Sequence, residues 1–142
     1  MKKVIFVCTG NICRSPMAEY ICKDFVQKAG YKLVIDSKAT FDEEEGSPVH
    51  YGTRRILDRL GIDCSGHVAA KLSKKDCDEA DYIIGMEDYN LDGIKRIAGE
   101  KNYDKIYKLL DFSSRPRDIP DPWYTHDFEA TFKDVLEGIS GF

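Results

Sequence analysis

The sequence has no long hydrophobic run. Its longest, Val4 to Cys8, ends at Thr9-Gly10-Asn11, too short for the apolar core of a secretory leader and far short of the ~20 residues that span a bilayer. An excess of positive charge is also missing. The 142 residues carry 21 Lys and Arg against 25 Asp and Glu, a formal net charge of -4. That balance argues against nucleic-acid or membrane-surface binding driven by bulk charge, so any anion it binds needs a local site. Five cysteines, an odd number in no regular framework, do not make a disulfide scaffold and read as thiols in a reducing cytoplasm. There is no internal repeat or low-complexity tract. The acidic run Asp42 to Glu45 and the Pro/Arg/Asp-rich stretch Ser113 to Pro122 read as loops inside one domain covering residues 1–142.

What is present is an alternation of strand and helix patterns. Val4 to Cys8 reads as a strand buried on both faces, followed by a helix with apolar positions at Met17, Ala18, Ile21, Cys22, Phe25 and Ala29, closed by Gly30. Leu33 to Ile35 opens a second strand, and Val49, Thr53, Ile56, Leu57 and Leu60 mark a second helix stopped by Gly61. Tyr82 to Met86 reads as a third strand with a helix after it, Ile106 to Phe112 as a fourth, and Phe128 to Ile139 as a last helix. The expected fold is three-layered α/β, a central four-stranded parallel sheet with helices on both faces, in the flavodoxin or Rossmann manner. Ligands of such sheets gather outside the carboxyl ends of the strands, and Cys8 sits at one such end.

The stretch VCTGNICRSP, residues 7 to 16, joins the first strand to the first helix. Pro16 suits a first helical position and Ser15 an N-cap. The turn therefore delivers a helix N-terminus, with its unsatisfied N–H groups and partial positive charge, and a tight loop at Gly10 can add further N–H groups to make an anion nest. Arg14 supplies a planar fork for two phosphate oxygens. A thiol among such donors ionises readily, which makes Cys8 a candidate thiolate nucleophile. Five residues between Cys8 and Arg14 let the loop encircle a tetrahedral oxyanion. A nucleotide-binding P-loop would need a Gly-Lys-Ser/Thr ending that is absent.

VCTGNICRSP resembles the signature of the low-molecular-weight protein tyrosine phosphatases, and Asp-Pro-Trp-Tyr at 121 to 124 resembles that family's general-acid loop. The likeness extends through DSKAT at 36 to 40 and GIDCSGH at 61 to 67 to the end of the chain. It implies hydrolysis of protein phosphotyrosine through a phosphocysteine on Cys8, with Arg14 clamping the phosphoryl oxygens and Asp121 protonating the leaving phenolate and then activating water. Phosphate would be held by Thr9, Gly10, Asn11, Ile12, Cys13, Arg14 and Ser15. Asn11, Ser15, Ser37 and His67 would stiffen the loop, and Cys13 would guard Cys8 by pairing with it reversibly under oxidant. Phosphotyrosine proteins would be the partners of a cytoplasmic monomer, with neither nucleic acid nor membrane involved. No cofactor or metal is implied, since N–H groups and Arg14 supply the positive field. Cys64, His67 and Cys77 lack a fourth ligand for a zinc site.

Two departures from the family pattern stand out. Glu43 and Glu44 fall where relatives often place an aromatic wall of the tyrosine slot, leaving Ile12, Trp123 and Tyr124, helped by Phe41, to line the rest; an acidic wall should disfavour acidic peptides. Ala70 and Glu87 replace residues that are often Arg and Asp, so a supporting ion pair is either lost or rebuilt. Three rivals are weighed: an arsenate reductase, which would need further cysteines that are missing between Tyr82 and Leu91; a phosphoarginine phosphatase, whose members carry Thr where Ile12 stands; and a non-catalytic phosphate-binding module, which would not need Cys8 and Asp121.

Overall fold

The computed structural model describes residues 1–142. Four strands form one parallel sheet: β1 (Lys2–Cys8), β2 (Leu33–Ala39), β3 (Tyr82–Gly85) and β4 (Ile106–Lys108), in the order β2-β1-β3-β4. The helices are α1 (Arg14–Ala29), α2 (Tyr51–Arg59), α3 (Lys74–Glu79), α4 (Asp88–Ala98), α5 (Pro122–Thr125) and α6 (Phe128–Gly141). Successive strand residues point to opposite faces, and β1 shows the consequence. Val4, Phe6 and Cys8 pack with Met17 of α1, Ile56 and Leu57 of α2 and Val135 of α6, while Ile5 and Val7 pack with Cys77 of α3 and Ile94 and Ala98 of α4. Covered on both faces, β1 has to be apolar at every position from Val4 to Val7, all fully buried. The chain leaves β1 toward β2 on one side and returns at β3 on the other, so the carboxyl end of β1 lies at the point where the order reverses, the usual ligand crevice of such sheets.

The three-layer α/β architecture is the one the alternation predicts, with differences of detail. The fourth strand stops at Lys108, and Leu109–Phe112 forms a 3-10 turn. The Asp111 carboxylate accepts the Lys108 N–H at 2.9 Å and closes that turn, while Leu109 and Leu110 are fully buried. Their hydrophobicity therefore reflects burial in a turn. Helix α3, capped reciprocally by Ser73 and Asp76, was not expected from apolar spacing. Neither was α5, where Asp121 caps a single turn opened by Pro122. Phe25, placed on the core stripe of α1, is 50% exposed, while its neighbour Val26 packs against the core. Cys64 and Cys77 are buried in the two different clusters on opposite faces, so they act as separate apolar fillers.

Candidate active site

The first helix begins two residues earlier than Ser15 and Pro16 suggest. Cys13 is its N-cap, Arg14 its first residue and Pro16 its third. Pro16 is tolerated there because the first four N–H groups of a helix have no intrahelical acceptor. The Ser15 side chain is thereby freed from capping. Its hydroxyl stands 3.0 Å from Cys8 Sγ, and its backbone N–H donates to the same sulfur at 3.4 Å. Cys8 itself is 3% exposed.

Between Cys8 and Ser15 the backbone is unusual for what it does not bond. None of the N–H groups of Gly10, Asn11, Ile12, Cys13 and Arg14 donates to an acceptor in the protein, although Asn11 to Arg14 are buried. Buried backbone donors are nearly always paired. A consecutive run of free donors around a sulfur is the composition of an anion nest. The Arg14 guanidinium completes it. At 1% exposure, Nη1 donates to the Ile119 carbonyl at 2.9 Å, Nη2 lies 3.1 Å from Glu87 Oε1 and 3.3 Å from Asp121 Oδ2, and Nε has no partner. The ion pair left open by the exchange at position 87 is thus rebuilt with the longer carboxylate.

Asn11 is the node that holds this loop open. Its φ of 59° lies in the left-handed region, which Asn tolerates better than most residues. Its Nδ2 donates to Ser15 Oγ at 2.8 Å and Ser37 Oγ at 2.9 Å, its Oδ1 accepts from Ala70 N at 3.1 Å, and its carbonyl pairs with His67 Nε2 at 2.8 Å. All four support residues expected from the sequence meet here. Behind them stands Glu19, a residue that the sequence reading passed over. Buried to 4% exposure, it accepts the Ser37 hydroxyl, lies 3.8 Å from His67 Nδ1 and is paired with Lys23. Its place one helical turn after Ser15, with Lys23 one turn further, is the one local trace it leaves, and such a spacing is ordinary on any helix. Asn90 was also missed. Fully buried, it accepts the N–H groups of Met86 and Glu87 at 3.2 Å and donates to Thr9 Oγ1 at 3.2 Å, bracing the loop from α4.

A pocket of about 160 Å³ opens onto Cys8 and is lined by Thr9, Gly10, Ile12, Cys13 and Arg14 below, and by Phe41, Glu43, Glu44, Asp121, Trp123 and Tyr124 around the rim. Each residue expected in the substrate slot is there. A Cβ on Gly10 would stand 3.5 Å from Glu44 Cγ, so the Glu44 stem lies over the loop, and its carboxylate accepts from Ser47 Oγ at 3.1 Å. Phe41 is stacked on Tyr89 with centroids 6.2 Å apart. Asp121 caps α5 by accepting the Trp123 N–H at 3.0 Å. Cys13 is 4% exposed and packs with Ile12 and Ala69. Burial first, and then the neighbouring Cys8, push its thiol well above the ordinary range.

Comparison with known proteins shows the family and the fold. A family model described as low molecular weight phosphotyrosine protein phosphatase matches residues 3–141. The chain is 45% identical to the low molecular weight protein-tyrosine-phosphatase YfkJ of Bacillus subtilis, over 97% of this chain and 91% of the relative. The crystal structure of YfkJ superposes with a TM-score of 0.95, at 42% identity over 99% of this chain and 91% of that one. The low molecular weight protein tyrosine phosphatase SP-PTP of Streptococcus pyogenes gives a TM-score of 0.87 at 41% identity, covering 99% and 89%. The Drosophila arginine phosphatase DARP shares the fold as well, with a TM-score of 0.91 at 30% identity, covering 100% and 95%.

Proposed function

The chain belongs to the low molecular weight phosphotyrosine protein phosphatases, and from that premise we propose that Cys8, Arg14 and Asp121 carry out the hydrolysis within one domain spanning residues 1–142. It is a cysteine-based protein tyrosine phosphatase. The observation that supports the assignment of roles is the run of unpaired N–H groups from Gly10 to Arg14, with the free Arg14 Nε, closing around a buried sulfur. These donors match the equatorial oxygens of a phosphoryl group, where they need no reorganisation as charge develops. The Cys8 thiolate attacks phosphorus, the bond to the tyrosine oxygen breaks, and the Asp121 carboxyl gives its proton to the departing phenolate. Water then attacks the phosphocysteine, Asp121 takes the proton, and inorganic phosphate leaves as the sulfur returns to the Ser15 hydroxyl and N–H. A phenol with a pKa near 10 is a poor leaving group, and a placed acid accelerates such a step typically by about 10²- to 10⁴-fold.

The partners are phosphotyrosine-bearing proteins. Every group in the mechanism comes from one chain, so a monomer suffices, and free buried thiols at all five cysteines suit a reducing cytoplasm. Glu43 and Glu44 on the rim favour phosphotyrosines without acidic neighbours, because like charges across a contact suppress the wrong partner. Substrate phosphoarginine is disfavoured by Ile12, which lines the pocket with a side chain that contacts an aromatic ring but offers a guanidinium no acceptor. Rates on matched phosphotyrosyl and phosphoarginyl peptides, with Lys or Glu flanking the phosphotyrosine, test the reading. The phosphotyrosyl peptides should turn over faster, those with Lys ahead of those with Glu; faster phosphoarginine hydrolysis would overturn the substrate assignment. Asp121→Asn should slow phenyl phosphate far more than 4-nitrophenyl phosphate, and an equal loss on both would remove Asp121 from the acid role.

A further inference from the structure

The loop that carries Asp121 is anchored where it arrives, at the fully buried Ile119, whose carbonyl accepts from Arg14 Nη1, but past Asp121 it has little of its own to hold it. Helix α5 is four residues long, Pro122 is its one buried member, and Trp123 and Tyr124 are 51% and 78% exposed. Yet Asp121 acts on a proton that has to be met within hydrogen-bond reach of the leaving oxygen, and that oxygen is placed by the cradle on a different part of the chain. Arg14 ties the near side of the loop to the cradle, and something has to fix its far side, at Trp123, as well. We propose that His50 does this: it is a positioning residue that ties the Asp121 loop to the phosphate cradle.

His50 touches both sides. Its backbone N–H donates to the carbonyl of Ile12, inside the cradle, at 2.8 Å. Its ring meets the Trp123 indole edge-on, with centroids 5.7 Å apart and planes at 76°, and lies parallel to Phe128 at 5.1 Å and 13°. Both arrangements are favourable for aromatic pairs. The ring cannot swing away, because Nδ1 accepts the Gly52 N–H at 3.0 Å as the N-cap of α2; accepting there puts the proton of the neutral imidazole on Nε2. Phe128 is fixed in turn by a close approach to Gly52, where a Cβ would stand 2.5 Å from the ring. Phe128 also packs beneath Ile12, Cys13 and Ala69. The stack therefore runs from the cradle through Phe128 and His50 to Trp123, whose backbone N–H donates to the Asp121 carboxylate.

Capping and ring contact are two separate functions of one side chain, and two substitutions separate them. His50→Asp keeps an N-cap acceptor for α2 and removes the ring; His50→Phe keeps a ring and removes the acceptor. Trp123 is the single tryptophan of the chain, so its fluorescence reports the contact independently of activity. In His50→Asp, acrylamide quenching of Trp123 should rise, and turnover of phenyl phosphate should fall about tenfold while 4-nitrophenyl phosphate falls by less than about threefold, the signature of a misplaced acid. His50→Phe should lower Tm but keep wild-type quenching and leaving-group dependence. The kinetic arm rests on Asp121 being the acid, and Asp121→Asn checks that alone. The quenching arm does not depend on it. Wild-type quenching in His50→Asp would overturn the proposal, as would rate losses in both variants that do not depend on the leaving group.

Discussion

Replacing Asn11 by Ala should do more damage to this protein than any other single deletion of a polar side chain, and its size can be worked from the hydrogen bonds lost. Two of the three side-chain bonds end on hydroxyls that keep another partner: Ser15 retains Cys8, and Ser37 retains Glu19. Each of those bonds contributes about 0.5–1.5 kcal/mol net. The third, from the Ala70 N–H to Asn11 Oδ1, leaves a backbone donor without its acceptor, a loss of about 1–3 kcal/mol. Ala is also poorly suited to the φ of 59° that Asn11 adopts, which adds about 1 kcal/mol. The total, about 3–7 kcal/mol, approaches the whole stability of an ordinary domain, about 5–15 kcal/mol. Urea unfolding monitored at Trp123 measures it, with m unchanged if the native state is intact. Asn11→Gly removes the same hydrogen bonds but accepts the left-handed backbone, so it should be about 1 kcal/mol more stable than Asn11→Ala. A loss below about 1 kcal/mol in Asn11→Ala would show that the bonds around the loop are not what holds it.

Mild peroxide should convert the Cys8 thiolate to a sulfenic acid, which the Cys13 thiol attacks with loss of water to give a disulfide; since burial holds Cys13 as the thiol, the second step should quicken as pH rises. Peptide mapping by mass spectrometry checks it: Cys13→Ser should recover poorly with dithiol, and full recovery would make Cys13 a packing residue. Arg117 pairs with Asp134 and Glu137 of α6 just ahead of Asp121, and the Arg117 hydrogen bond pulls Glu137 from 4.5 to about 2. A depressed folded value means the stabilisation is present above 4.5 and fades as pH falls toward 2, so the Tm difference between wild type and Glu137→Gln should shrink across that window. A difference that is constant or grows toward acid would contradict the ion pair's role.

How far the sequence could be read follows from how local each signal is. The cradle was legible because strand end, Gly-Asn turn, Arg14 and helix start lie within one short stretch, and because a strand covered on both faces leaves an unbroken apolar run. The sheet and its covering helices followed from the alternation of such runs. What stayed hidden was decided by distant contacts. Whether Leu109 and Leu110 continue a strand depends on the Asp111 carboxylate closing a turn and on the helix packed against them. Which residue starts α1 depends on Ser15 giving its hydroxyl to Cys8 instead of capping the helix.

The residues behind the cradle were illegible for a further reason. Glu19, Asn90 and His50 are each ordinary at their own positions: a helical acid with Lys23 four residues on, a polar residue in the first turn of α4, an aromatic before a helix. Their meaning lies in what arrives opposite them. Glu19 becomes an anchor because Ser37 of β2 and His67 of the loop after α2 reach it, and Asn90 because Thr9 does. Arg14 shows the same dependence in its charge balance. Buried at 1% exposure and held by Glu87 and Asp121, it is compensated in the absence of substrate, as a buried charge has to be. An entering phosphate therefore competes with those carboxylates for the guanidinium and meets unopposed donors at Nε and along the Gly10 to Arg14 backbone. Strengthening either carboxylate's hold would weaken phosphate binding, so the longer Glu87 side chain acts on affinity as well as on loop stability.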